Sequence, residues 1–135
     1  MIDVRYAVFC DHALVDRAGK LSIIGIFDQI NPPQLPFQIP AMNIVVGFEA
    51  ESADAREFGV RYVISEQDGD VAFERESRLT FPTVAVGAMK RYNDTMTLYG
   101  LPLRNAGPHS LVVYVNGEIR KRVVLDVASP AGATP

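Results

Sequence analysis

Three adjacent residues near the start of the chain, Cys10, Asp11 and His12, are of types that could do chemistry together. A cysteine nucleophile needs a nearby base, and histidine is the usual one. On a strand, residues two apart share a face, so Cys10 and His12 point the same way but stand side by side rather than aimed at each other. Tyr6 and Val8 fall on that same face, which marks it as core. The simpler account is a small buried thiol with a hydrogen-bonded histidine at the core's edge. The second histidine, His109, follows Gly107-Pro108 late in the chain, where it could cap a turn or face solvent. A zinc site would need Cys10, His12 and His109 to converge with a fourth ligand, and their spacing has no metal-ligand pattern.

The carboxylates raise a calcium question. Asp54 and Glu57 fall in one loop and Asp68 and Asp70 in another, while Asp28 and Asp94 are isolated. Calcium takes six to eight oxygen ligands, so two carboxylates per loop is thin coverage. Asp68-Gly69-Asp70 reads first as a turn. The charged run Glu74, Arg75, Glu76 and Arg78 reads as an exposed edge strand protected against aggregation. Arg120-Lys121-Arg122 reads as a solvated strand face. No Gly-rich phosphate loop and no serine in a nucleophile-elbow context is present.

The chain as a whole bounds these options. Its 135 residues suit one domain, and 48% of them are apolar. A chain of this length buries roughly two-thirds of the surface it exposes when unfolded, so it needs neither metal nor disulfide to fold. Thirteen basic residues stand against 16 acidic ones, a net charge of −3. That balance argues against a nucleic-acid partner or an acidic membrane surface. Cys10 is the one cysteine, which favours a reducing compartment and a cytoplasmic location. Met1–Tyr6 is interrupted by charge and lacks the apolar core of a signal peptide. No apolar run approaches the roughly 20 residues of a membrane helix.

The elements that must position these residues are strands. Met42, Ile44, Val46 and Phe48 alternate with Asn43, Val45, Gly47 and Glu49. Phe58, Val60, Tyr62 and Ile64 share one face, as do Leu111, Val113 and Val115, and Val123, Leu125 and Val127. This period of two predicts strands with one buried face each. Asn116-Gly117 predicts a two-residue type I′ hairpin, because both residues tolerate positive φ. Asp68-Gly69 predicts a hairpin with a longer loop, and Arg17–Lys20 a turn before Leu21–Phe27. Gly25 and Gly47, inside strands, mark bulges or close contacts. Two short stretches, Ser52–Arg56 and Val84–Tyr92, could form a turn of helix. The reading is an all-β, antiparallel two-sheet sandwich of about eight strands over residues 1–128, with a disordered tail over 129–135.

One segment stands apart. Asn31–Pro40 holds four prolines in ten residues. Proline has no N–H for a ladder, so this cannot be a central strand and should run extended between the sheets. Leu35, Phe37 and Ile39 either plug the sandwich end or form an apolar strip that contacts a partner.

The opening Val4–Phe9 with Cys10-Asp11, the hairpin into Gly19–Phe27 and the proline crossover form one pattern. Gly107-Pro108-His109 leading into Leu111–Val115, Asn116-Gly117-Glu118 and Val123–Val127 completes it. Together they resemble an uncharacterised family of bacterial single-domain β-sandwich proteins. The resemblance implies an immunoglobulin-like or C2-like fold and no assigned activity, so it transfers no functional residues.

The expectation is therefore a non-catalytic protein-binding or assembly module, not an enzyme, working with a protein partner or by self-association. Leu35, Phe37 and Ile39 are the candidate partner-contact residues, with an outer sheet face as a further contributor. No catalytic residue, cofactor or metal is expected. The alternative is a small-ligand-binding or hydrolytic protein using Cys10 and His12. A weaker alternative is a calcium-dependent C2-like module.

Overall fold

The computed structural model of the protein describes residues 1–130. Nine strands follow in order: β1 (Asp3–Val15), β2 (Leu21–Phe27), β3 (Gln29–Ile30), β4 (Phe37–Ala50), β5 (Glu57–Ser65), β6 (Val71–Thr80), β7 (Lys90–Leu103), β8 (Gly107–Val115) and β9 (Glu118–Val127). They form two sheets with strand orders β2-β1-β4-β7 and β3-β9-β8-β5-β6. Every pairing is antiparallel except the short β3–β9 contact. The all-β sandwich is therefore the fold, with nine strands against the eight expected. The two-residue β3 is too short to show a period in sequence. No helix occurs among the described residues. Ser52–Arg56 holds a hydrogen-bonded turn and Val84–Met89 another, while Lys90–Tyr92 already belongs to β7.

The turns follow their residue types. Asn116 and Gly117 adopt φ of 49° and 83° and join β8 to β9 as a two-residue hairpin. The Asn116 Oδ1 also accepts from the Gly59 N–H at 2.9 Å, tying that hairpin to β5. At the β5–β6 turn, the Glu66 N–H donates to the Asp70 carbonyl at 2.8 Å, and the Asp70 N–H donates to the Asp68 carboxylate at 3.0 Å. β6, with its charged run, is an edge of the five-stranded sheet, and Arg61 pairs with Glu74 across it at 2.7 Å.

The core lies between the sheets. Met42, Ile44, Val46 and Phe48 from β4 face Phe58, Val60, Tyr62 and Ile64 from β5, joined by Leu111, Val113 and Val115 from β8. One face assignment is corrected. In β1 the core residues are Ala7 and Phe9, not Tyr6, Val8 and Cys10. A bulge between Val4 and Tyr6 adds one residue opposite β4, so Val4 packs towards the core and parity then inverts. Tyr6 instead lies on the outer face over Gly47, where its ring fills the space a side chain at that glycine would need. Its hydroxyl donates to Asn93.

The proline segment does carry the chain from β3 in one sheet to β4 in the other. Its last residues, Phe37–Pro40, nevertheless belong to β4. They are tolerated there because β1 reaches β4 only as far as Asn43, leaving Phe37–Ile39 paired with β7 alone. A proline with its nitrogen on an unpaired side breaks no ladder bond. Of the tail expected over 129–135, residues 131–135 lie outside the described residues, and Ser129 and Pro130 are in no regular structure.

Candidate functional site

Cys10 is fully buried under side chains of the outer face of the four-stranded sheet. His12, two residues on, is exposed and pairs with Ile24 in the register. Side chains two apart on a strand are separated by about 6.6 Å, too far for direct proton transfer. Burial, and after it the Asp11 charge, pushes the Cys10 thiol above its ordinary value. A nucleophilic cysteine needs the opposite shift. His109 lies on the inner face of β8 beside the core, not in solvent or capping a turn, so the three possible soft ligands are not brought together. Iodoacetamide should leave Cys10 unmodified in the native chain and label it rapidly once the chain is unfolded in urea. Rapid native labelling would revive the thiol as a reactive group.

Ile39 is buried, and Leu35 and Phe37 are half-buried against the core. The plug account of this segment therefore describes most of its apolar surface. Phe37 and Ile39 still line an open cleft with Ile26, Phe27 and Ile30, a space of 390 Å³ beside the end of β2. That cleft joins the proline segment to a second feature, which the sequence reading named only as an outer face. β2 is an edge strand, and Leu21–Phe27 contains no charged residue. Ile24 and Ile26 are 55% and 62% exposed, and Leu14 beside them on β1 is 50% exposed. Gly25 takes φ of 71°, with the Asp11 carboxylate packed over it.

Two buried polar residues form a separate cluster at the end of the five-stranded sheet. Glu66 and His109 have side chains only 4% and 1% exposed, with His109 Nε2 3.5 Å from Glu66 Oε1. The same Oε1 accepts from the backbone N–H groups of Arg104 and Asn105 at 3.3 and 3.2 Å. Asp68 and Asp70 stand at the mouth, their carboxylates within 4.8 Å of that of Glu66. Sequence reasoning picked out His109, Asp68 and Asp70 but not Glu66, because nothing in a Glu-Gln-Asp-Gly turn signals that its first residue is buried. Asp54 and Glu57 do not join a comparable group among the described residues.

No helix among the described residues is long and apolar enough to cross a membrane. No curated protein matches the sequence. Among solved structures, the chain resembles a Pseudomonas fluorescens alkylpurine DNA glycosylase, AlkC, bound to DNA containing an abasic site analog. That match has 14% identity and a TM-score of 0.53, over 95% of this chain and 30% of that one. A β-glucosidase from Listeria innocua matches at 11% identity and TM-score 0.48, over 77% and 15% of the two chains. An immunoglobulin-like protein from Pseudomonas aeruginosa matches at 12% identity and TM-score 0.44, over 95% and 97%. The chain thus spans less than a third of the two enzymes, and the glycosylase likeness bears on the fold alone. Residues 5–128 match a family model described as "Family of unknown function (DUF6941)". As the resemblance in its sequence pattern anticipated, the chain belongs to this family, DUF6941, which has no assigned activity.

Proposed function

We propose that the protein is a non-catalytic association module that pairs with a second copy of itself along the edge of β2. The observation that carries this reading is the character of that edge. An open edge strand is a template for another chain, and proteins guard such edges with charge, proline or brevity. The other edges follow that rule: β6 carries Glu74, Arg75, Glu76 and Arg78, β7 carries the exposed Arg91 and the inward-pointing Asp94, and β3 has two residues. β2 has no charge and presents two exposed isoleucines.

Its flanks favour a second copy over another partner. In an antiparallel pairing centred on Ile24, the partner's Asp28 falls opposite Lys20, and the partner's Phe27 opposite Leu21. Ser22 meets the partner's Ile26, and Gly25, covered by its own chain's Asp11 carboxylate, stands opposite the partner's Ile23. Lys20 and Asp28 are both exposed, and neither makes an ion pair among the described residues. Opposite charges at both ends of a symmetric pairing fix its register. Phe37 and Ile39, in the neighbouring cleft, lie where the second copy would extend the contact. A protein partner in a reducing cytoplasm suits the single buried thiol and the net charge of −3.

Sedimentation velocity tests the reading. The native chain should sediment as twice 14.8 kDa at micromolar concentration. Ile24→Lys should sediment as the monomer and still melt cooperatively, since that side chain is exposed within one chain, with a midpoint lowered only by the lost dimerisation and no longer dependent on protein concentration. A monomeric native chain, or a dimer indifferent to Ile24→Lys, would overturn it.

A further inference from the structure

We infer that His109, Glu66, Asp68 and Asp70 form a binding site for a divalent transition cation of the zinc type, independent of the association edge. His109 Nδ1 lies 3.2 Å from the Gly107 carbonyl, which can only accept, so Nδ1 carries the ring proton. In the neutral ring Nε2 is then a bare lone pair. It is buried without a hydrogen-bond partner, and the group it faces, at 3.5 Å, is a carboxylate oxygen that also only accepts. Two acceptors held face to face in a buried site call for a positive species between them.

The separation fits a metal. With zinc about 2.0–2.1 Å from nitrogen and about 2.0–2.2 Å from oxygen, a tetrahedral angle places the two ligand atoms about 3.4 Å apart. The other ring nitrogen donates to a backbone carbonyl, the arrangement that fixes the tautomer of metal-bound histidines. Glu66 is held in turn by the Arg104 and Asn105 N–H groups. Asp68 and Asp70 bring their carboxylates within 4.8 Å of that of Glu66 from the solvent side, and His109 meets this group through Glu66. Asp68 lines, with Glu66, His109 and Asn105, a cleft of 390 Å³, enough for an ion and its water. Imidazole with carboxylates suits a first-row cation; calcium prefers a shell built of oxygens alone. Such an ion would clamp the β5–β6 turn to β8 and to the loop after β7.

The full chain, stripped with a chelator, should bind one zinc ion by calorimetry and melt several degrees higher in excess zinc, because a ligand specific to the native state stabilises it. Cobalt in place of zinc should show the visible absorption of a tetrahedral site. His109→Gln should abolish binding. Asp68→Asn, at an exposed position that does not endanger folding, should weaken it roughly tenfold or more. Absence of one-to-one binding would overturn the inference, leaving a proton shared by His109 and Glu66 as the positive species. So would zinc binding that is unchanged in both variants, since the ion would then sit elsewhere.

Discussion

Phe58→Ala should lower the stability of the protein by about 3–5 kcal/mol, the range for removing a fully buried aromatic side chain. Phe58 is wholly inaccessible. Its ring lies 5.0 Å from Phe48 in the opposite sheet and 4.7 Å from Phe81, just beyond β6. The three rings bridge the sandwich, so the variant loses transfer energy, an inter-sheet contact and the edge-to-face geometry together. A domain of this size has roughly 5–15 kcal/mol of total stability, so the loss is a large part of it. In a thermal melt the midpoint should fall by roughly 10–20 °C. Tyr99→Ala is the matched control: that ring is 79% exposed on the outer face, and its loss should change stability by no more than about 0.5 kcal/mol. Equal melting of the two variants would mean that the aromatic bridge does not hold the sheets.

Asp94→Asn should stabilise the protein at neutral pH. Asp94 lies on the inner side of β7, opposite Val46, and accepts from the Tyr62 hydroxyl at 2.7 Å. Burial raises its carboxyl above the ordinary value of 3.8, while the Tyr62 hydrogen bond and then Arg75 pull it partly back. Burial first, and Asp94 second, holds the Tyr62 hydroxyl far above its own ordinary range, so it stays protonated and donates throughout. A carboxyl whose folded value exceeds its unfolded value favours the native state below 3.8. That advantage is lost as pH rises through the folded value, because the ionised group must then remain partly buried. Asparagine keeps an acceptor for Tyr62 and carries no charge. Its advantage in melting temperature should therefore be largest at pH 7 and close as the pH falls towards 3.8. A variant less stable than the native chain by the same margin at every pH would show that the carboxylate charge is not the cost.

The strands legible in sequence were those with one face turned to the core. Met42–Phe48, Phe58–Ile64, Leu111–Val115 and Val123–Val127 alternate because a side chain's face on a strand is set by its own position in the period. Asn116-Gly117 was legible for a similar reason: its positive φ angles belong to those two residue types whatever surrounds them. β7 was less visible, because its outer positions, from Arg91 to Tyr99, mix charge, threonine and an aromatic ring, and its start lies in a loop-like stretch. The face of β1 could not be read, since the inserted residue at its bulge exists only relative to β4.

By itself, then, the sequence determined an all-β chain, its principal strands, its tight turns and the proline crossing between sheets, all properties of residues and their near neighbours. Only the tertiary structure decided which strands are edges, that Cys10 and His12 do not face each other, and that Glu66 meets His109 across 43 positions of chain. Edges and buried pairs depend on which distant strands lie side by side. That choice is made by the packing of the whole core, and no local pattern records it.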